Sequence, residues 1–266
     1  MQEVRRTAVA GRFYPSSPLE LLSMVEGFLQ KAPGRAGAEA VPKAVIAPHA
    51  GYVYSGPIAG SALAPLGQEA EQIERVVLLG PAHRVPVRGL ALSGVDGFET
   101  PLGVVPVDAE LVDRVLDLPQ VVVSRRAHAP EHCLEVELPF LQVTLGSFSI
   151  LPLLVGDATP GEVAEVLERV WGGSETRIVI SSDLSHYLEY SQARRVDEGT
   201  AEAVLALRSP ISPTQACGAG AINGLLVAAI DHGLTASLLD LRSSGDTTGD
   251  RSQVVGYGAF AFAEPA

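Results

Sequence analysis

The chain has 266 residues, of which 47% are hydrophobic and 19% charged, a composition that excludes an intrinsically disordered protein. Its net charge of −12 has the wrong sign for binding a phosphate backbone, so nucleic acid is not expected as a partner. No uninterrupted apolar run approaches the roughly 18–20 residues that cross a bilayer, so we expect no membrane association.

The cysteine content and the N-terminal sequence indicate a cytoplasmic protein. Cys133 and Cys217 are the only cysteines, and so low a content is typical of a reducing compartment. Arg5 and Arg6 could suggest a twin-arginine export signal, but Arg12 interrupts the sequence before an apolar region of about 7–15 residues can form. We therefore expect a cytoplasmic location.

Three short apolar runs share one pattern, because each is rich in Val, Ile or Leu and ends in a polar segment that contains a histidine. Continuous apolar runs of this length are typical of strands buried on both faces of a sheet. The runs are 44–47 before His49, 76–79 before His83 and 178–180 before His186. Residues 150–155 are a fourth candidate strand, in which Pro152 favours a sheet edge or a bulge.

Helices are predicted between these strands by three start signals. Ser17, Thr159 and Ser212 each precede a proline, which suits the first helical position, and their hydroxyls can cap a helix. Apolar residues at helical spacing follow all three. An alternating segment at 253–262 predicts a closing strand. Strands that alternate with helices predict one α/β domain over residues 1–266, with helices on both faces of a central, mostly parallel or mixed sheet.

Histidines that follow the predicted strands indicate a metal site. In open α/β sheets, ligands gather at the carboxyl ends of the strands, so His49, His83 and His186 are expected to meet in one crevice. Two or three imidazoles with one anionic ligand are a recurring catalytic arrangement for iron, zinc or copper. Asp183 and Cys217 are the candidates for that anionic ligand. A purely structural role is the alternative for any single histidine.

The two cysteines and a histidine pair each have a plainer alternative. Cys217 lies near the predicted start of the third helix, where amide dipoles stabilise a thiolate, but a free cysteine is usually a small buried hydrophobic residue. We assign that buried role to Cys133. His128 and His132 have the i, i+4 spacing of a helical metal site, but Pro130 disfavours helix between them, so a shared metal is not expected.

Five separated motifs follow one another along the chain. They are Ala47-Pro48-His49-Ala50-Gly51-Tyr52, Leu79-Gly80-Pro81-Ala82-His83, Glu131-His132-Cys133-Leu134-Glu135, Ser181-Ser182-Asp183-Leu184-Ser185-His186 and Cys217-Gly218. In this order they resemble the motifs of the Memo family, whose prokaryotic members are often labelled AmmeMemoRadiSam system protein B. The resemblance implies a three-layer α/β/α fold similar to that of the class III extradiol dioxygenases, which use non-haem Fe(II).

The resemblance also implies a set of site residues. The pocket of the Memo family is lined by residues that correspond here to His49, His83, Asp183, His186 and Cys217. The dioxygenases have a glutamate where this family has the cysteine, so ring cleavage is not implied. A thiolate donates more charge and favours softer metals, so the expected cofactor is a transition metal, iron or copper, with zinc as an alternative.

The leading interpretation is a metal-binding protein with a dioxygenase-like pocket, in which O₂ and a small organic substrate take part in a redox reaction. The acid–base group would remove a substrate proton and return it. The assigned roles are metal binding for His49, His83 and Cys217, acid–base catalysis or a fourth ligand for His186, orientation of His186 for Asp183, and substrate contact for His132.

Two functions from other classes stay open. A non-catalytic scaffold could sequester metal or dock a partner, such as the radical-SAM protein that the prokaryotic family label implies. A metal-assisted hydrolase would need only redox-inert Zn²⁺. Turnover of catechol-like compounds would argue against the scaffold, and activity that survives replacement of iron or copper by zinc would indicate the hydrolase.

Overall fold

Strands alternate with helices along most of the computed structural model, which describes residues 3–33 and 41–265. The strands are β1 Val4–Arg5, β2 Ala44–Ala47, β3 Arg75–Pro81, β4 Leu90–Leu92, β5 Gly97–Thr100, β6 Gly103–Pro106, β7 Val121–Val123, β8 Ser149–Val155, β9 Thr176–Ser181, β10 His186–Leu188, β11 Thr235–Ser243 and β12 Val254–Ala263. The α-helices are α1 Pro18–Lys31, α2 Tyr52–Leu63, α3 Ala109–Val115, α4 Arg125–His128, α5 Leu138–Leu145, α6 Pro160–Arg169, α7 Tyr190–Leu205, α8 Ala219–Asp231 and α9 Ser244–Thr248. Two 3₁₀ helices occur at Ala64–Gln72 and Glu135–Glu137. Within the described ranges, none of the helices has the length and apolar character needed to cross a membrane.

A nine-stranded mixed sheet forms the centre of the described part of the chain. Its order is β10-β12-β2-β9-β3-β8-β4-β7, and β11 also pairs with β12. Strands β2, β9, β3 and β8 run parallel, so their carboxyl ends lie at one edge of the sheet. Strands β12 and β4 flank them in the antiparallel direction. A separate three-stranded sheet has the order β1-β5-β6.

The central strands are buried on both faces because their side chains alternate between two apolar cores. On β3, Val76 and Leu78 enter one core, whereas Val77 and Leu79 enter the other. Helices α1, α2 and α5 pack in the first core, and α3, α6, α7 and α8 pack in the second. Full burial of each such side chain contributes about 1.5–3 kcal/mol of hydrophobic free energy. The expected three-layer α/β/α architecture with a mixed central sheet is confirmed.

All four strands that were predicted from apolar runs are present, as β2, β3, β8 and β9, and the closing strand is β12. The predicted edge position or bulge at Pro152 is wrong, because β8 lies between β3 and β4. The Ile150 carbonyl accepts the Asp108 N–H on the side of β8 that faces away from β3. The backbone nitrogen of Pro152, two residues later in the strand, faces that same side. Strand β4 pairs only with residues 153–155, so the missing N–H of Pro152 removes no ladder hydrogen bond.

Two of the three predicted helix starts are confirmed. Helix α6 begins after Thr159, whose hydroxyl accepts the Glu162 N–H at 3.2 Å, while the Glu162 carboxylate accepts the Thr159 N–H at 2.7 Å. Helix α1 begins after Ser17, although the Ser17 hydroxyl makes no capping hydrogen bond. The predicted start at Ser212 is wrong, because Ser212 and Gln215 form a turn and α8 begins later in the chain.

These caps lead to a first prediction on stability. Thr159→Ala removes the hydroxyl that accepts the Glu162 N–H but keeps the Thr159 N–H that donates to the Glu162 carboxylate, so we expect the free energy of unfolding to fall by about 1 kcal/mol. Ser17→Ala removes no capping bond and is expected to change it by less than about 0.5 kcal/mol. Urea unfolding of both variants measures the difference, and equal losses would contradict the assignment of the cap.

Candidate functional site

Two histidines follow nearby parallel strands and meet at the carboxyl edge of the sheet. His49 lies just after β2 and His83 just after β3, with β9 between these strands. Their ring centroids are 5.2 Å apart and the rings are nearly perpendicular. His49 is buried, whereas the His83 side chain is 27% exposed. The two imidazoles that the strand pattern placed in one crevice are therefore neighbours.

A third imidazole, from His132, completes a group that could hold a metal ion. Its ring centroid lies 5.5 Å from that of His49 and 5.1 Å from that of His83. One nitrogen from each of the three rings lies within 4.8 Å of the other two. His132 Nδ1 is buried and lies 3.2 Å from Glu131 Oε1 without the geometry of a hydrogen bond. His132, which was predicted to contact the substrate, thus lies among the candidate metal ligands.

Glu131, which was not among the predicted site residues, supports two of these imidazoles. Its Oε2 accepts the backbone N–H of His83 at 2.7 Å, and its Oε1 lies 3.0 Å from His83 Nδ1. Oε1 also accepts the backbone N–H of His132 at 2.9 Å. Burial alone would raise the pKa of Glu131, but the hydrogen bonds from His132 and His83 outweigh it and lower the pKa. An ionised Glu131 holds His83 with Nδ1 as the donor, which leaves Nε2 as the ligand atom.

His49 is held in the same manner by a different partner. Its Nδ1 lies 2.8 Å from Oγ of Ser181, the last residue of β9, and its backbone N–H donates to Asp183 Oδ1 at 2.8 Å. Burial, together with the nearby imidazoles of His83 and His132, lowers the pKa of His49 well below its usual value. The His49 imidazole is therefore neutral, the form that binds metals.

Cys217 lies beside His49, with Sγ 3.3 Å from His49 Nε2. It precedes α8 and is tied to the loop after β9, because its N–H donates to the Asp183 carbonyl at 3.2 Å and the Gly218 N–H donates to Ser182 Oγ at 2.9 Å. These tertiary hydrogen bonds use backbone groups that a longer helix would need. They explain why α8 begins later than the sequence pattern predicted.

The protonation state of Cys217 differs from the sequence-based expectation. Burial and the neighbouring Asp183 carboxylate raise the pKa of the Cys217 thiol to about 12, so the metal-free protein carries a thiol at neutral pH rather than the expected thiolate. Cys133 is fully buried, and its Sγ donates to the Pro81 carbonyl at 3.2 Å. The predicted burial of Cys133 is confirmed, and its Sγ also lies within 4.8 Å of a ligand atom of His83 and one of Glu131.

Asp183 and His186 line the same cavity, but the hydrogen bonds of the described residues include none between their side chains. The Asp183 carboxylate instead accepts the His49 N–H. Burial raises the pKa of Asp183 to about 6, although the His49 hydrogen bond opposes this rise. His186 is half-buried at the start of β10, with its ring centroid 5.9 Å from that of Tyr187. The described contacts of Asp183 therefore position His49 rather than His186.

A cavity of about 620 Å³ adjoins the three imidazoles, and its size suits a small organic molecule. Its wall combines aromatic rings with imidazoles and one guanidinium. The lining residues are Phe13, His49, Ala50, Gly51, Tyr54, His83, Arg84, His132, Asp183, His186, Tyr187, Ser244, Gln253, Val255 and Tyr257.

The remaining two histidines lie outside the cavity. His128 is buried, its Nε2 lies 2.8 Å from the Ala91 carbonyl, and burial lowers its pKa to about 4. Among the described residues, His128 is not part of either group of side chains that could hold a metal ion. His232 Nε2 lies 2.7 Å from a Glu168 carboxylate oxygen, and its ring stacks on Trp171.

Comparisons with known proteins agree with the family that the motifs resemble. The chain is 38% identical over 270 residues to a MEMO1 family protein of Aquifex aeolicus, which covers 96% of this chain and 97% of that protein. It is 36% identical over 274 residues to a MEMO1 family protein of Archaeoglobus fulgidus, covering 97% and 99% of the two chains.

A solved structure of an uncharacterized protein from Escherichia coli K12 has a similar fold. The TM-score is 0.52 at 13% sequence identity, and the match covers 84% of this chain and 100% of that one, so it supports the fold alone. A family model described as Memo-like protein matches residues 5–261, a range that contains all six histidines and Cys217. This chain therefore belongs to the Memo family.

Proposed function

We propose that this chain is a metalloenzyme that binds iron or copper at His49 and His83 and acts on a small organic substrate in the adjoining cavity. The observation that carries the proposal is the group of three imidazole nitrogens within 4.8 Å of one another beside a cavity of about 620 Å³. Either Cys217, whose Sγ lies 3.3 Å from His49 Nε2, or His132 would supply the third ligand.

The donor set fits such a metal. Ser181 and Glu131 occupy Nδ1 of His49 and His83, which leaves Nε2 of each ring to bind a metal. Imidazole and thiol donors suit iron, copper and zinc better than magnesium or calcium. A bound iron or copper ion would supply redox chemistry with dioxygen, whereas zinc would supply only Lewis acidity.

Two residues of the cavity, Asp183 and His186, could act as proton donor or acceptor toward a bound substrate. Burial brings the pKa of Asp183 to about 6, close to the pH at which a general acid or base works best. His186, half-buried on the cavity wall, can accept a proton from a bound substrate and return it. Phe13 and Tyr257 supply apolar surface to the same cavity.

The test is anaerobic purification of the full chain, followed by elemental analysis and a metal-edge absorption spectrum. We expect close to one iron or copper ion per chain, with nitrogen ligands and, where Cys217 binds, a sulfur scatterer. The loaded protein is then assayed for oxygen uptake with a panel of catechol-like compounds. Turnover with iron or copper but not with zinc supports the proposed redox function.

Other outcomes contradict parts of the proposal. If the chain retains no transition metal under anaerobic conditions, the proposed metal site is wrong. Metal without turnover at any loading indicates a scaffold, and activity that persists when zinc replaces iron or copper indicates a hydrolase. Absence of the sulfur scatterer assigns the third ligand position to His132.

A further inference from the structure

Glu137 carries a fully buried carboxyl group behind the three imidazoles of the candidate site. Its side chain has no exposed surface, and its Oε1 lies 2.9 Å from Ser181 Oγ. Its Oε2 has no hydrogen-bond partner among the described residues. Ser181 Oγ in turn lies 2.8 Å from His49 Nδ1. A chain of short contacts therefore connects this buried carboxyl to a candidate metal ligand.

Glu135, two residues earlier in the same 3₁₀ helix, shows what a charged carboxylate requires at this depth. It is equally buried, but a cation, a phenol and two backbone amides surround it. Its donors are Arg5 Nη1 at 2.8 Å, Tyr14 Oη at 2.7 Å, the Ala8 N–H at 2.7 Å and the Val9 N–H at 3.0 Å.

Glu137 has no such set of donors. It forms no ion pair with a cationic side chain of the described residues, and its one polar contact is a hydroxyl. The charge of Asp183 affects the pKa of Glu137, and the charge of Glu137 affects the pKa values of Tyr52 and Cys133. None of these three groups is a cation. A buried carboxylate without compensation is costly and takes up a proton instead. Burial accordingly raises the pKa of Glu137 well above its usual value.

The hydrogen-bond capacity of Ser181 leads to the same protonation state. A serine hydroxyl donates once and accepts twice, and Ser181 Oγ has three partners. The Cys133 carbonyl, at 2.7 Å, can only accept, so it takes the single hydroxyl proton. The other two partners, His49 Nδ1 and Glu137 Oε1, must then both donate to Ser181. With Glu137 protonated, the Ser181 hydroxyl donates one hydrogen bond and accepts two, so all three of its partners are satisfied.

We propose that Glu137 is a positioning residue that keeps its proton, donates it to Ser181 Oγ and so helps to hold His49 with a proton on Nδ1 and with Nε2 as its ligand atom. The effect on metal affinity rests on the proposed function, whereas the two protonation states do not. An ionised Glu137 would instead take the Ser181 proton and leave the buried Cys133 carbonyl without its donor.

Two measurements on the metal-free chain test the protonation states directly. Infrared difference spectra between the wild type and Glu137→Gln are expected to show a protonated carboxyl at neutral pH that the variant lacks. Nitrogen-15 NMR of the histidine rings is expected to show His49 protonated on Nδ1. A carboxylate signal at Glu137, or a proton on Nε2 of His49, overturns the proposal without reference to any metal.

Variants then test the positioning role on metal affinity. The amide of Glu137→Gln can still donate to Ser181, so we expect its iron dissociation constant to stay within about threefold of the wild type. Glu137→Leu removes the donor, and we expect at least about tenfold weaker binding together with a mixed tautomer at His49. A tenfold loss in Glu137→Gln, or unchanged affinity and tautomer in Glu137→Leu, would count against the role.

Glu135→Gln is the matched control. It leaves Arg5 with a neutral partner in place of a carboxylate, so we expect its melting temperature to fall by at least about 5 °C. Glu137→Gln exchanges one neutral group for another of the same size and is expected to change the melting temperature by less than about 2 °C. Equal destabilisation by the two variants would mean that Glu137 is charged.

Discussion

Arg5→Ala is expected to lower the free energy of unfolding by about 3–5 kcal/mol, because it leaves a fully buried carboxylate without its cation. Arg5 Nη1 lies 2.8 Å from Glu135 Oε2, and the two side chains are 5% and 0% exposed. Arg5 Nε also donates to the His128 carbonyl at 2.7 Å, and Nη2 donates to the Glu131 carbonyl. Urea unfolding monitored by circular dichroism measures the loss.

Arg6→Ala is the matched control from the neighbouring position. The Arg6 side chain is 82% exposed where it pairs with Glu99, so its removal is expected to cost no more than about 1 kcal/mol. The double variant Arg5→Met with Glu135→Gln removes both buried charges and should recover much of the stability that Arg5→Ala loses. Similar losses for Arg5→Ala and Arg6→Ala would show that the buried pair is not a major contributor to stability.

The Arg5→Ala variant should also affect the candidate site. Arg5 binds the carbonyls of His128 and Glu131, which bracket the loop that leads to His132. Because Glu131 holds His83 and His132 carries the third imidazole, loss of this anchor should loosen the three imidazoles. The first strand of the chain thereby contributes to the site without lining its cavity.

The central strands and two site histidines could be predicted from the sequence because the signals are local. A buried strand in a parallel sheet needs consecutive apolar residues, and the change to a polar residue marks where it ends. His49 and His83 each lie two residues after the last residue of their strand. Parallel strands then bring these two ends to one edge, which is a general property of the architecture and needs no knowledge of side-chain contacts.

The remaining features depend on contacts between distant parts of the chain. Arg5 and Glu131 are 126 residues apart, and no local pattern distinguishes Arg5 from the exposed Arg6 beside it. The helix start predicted at Ser212 fails because Cys217 and Gly218 donate to the loop after β9. Local propensity predicts the capacity to form a helix, and tertiary hydrogen bonds decide where it begins.

His83→Ala is expected to weaken iron or copper binding by at least about 100-fold, because loss of a partner behind a ligand already costs about 10–100-fold and this variant removes a ligand. His83 is the more suitable target of the central pair, since its side chain is 27% exposed and its loss leaves a smaller cavity than the loss of buried His49. Competition with a chelator under anaerobic conditions measures the dissociation constant, and thermal unfolding of the metal-free chain checks the fold.

His232→Ala provides a closely matched comparison. The His232 side chain is 29% exposed and its Nε2 lies 2.7 Å from a Glu168 oxygen, much as His83 Nδ1 lies 3.0 Å from Glu131. His232 is not among the residues that line the cavity, so its substitution should leave metal affinity unchanged. Both variants lose a partly exposed imidazole and one carboxylate contact. A 100-fold loss confined to His83→Ala would tie the metal to the strand-end imidazoles. If the two variants instead bind metal with the same affinity, His83 is held by Glu131 for structural reasons, and the group of three imidazoles is not the metal site.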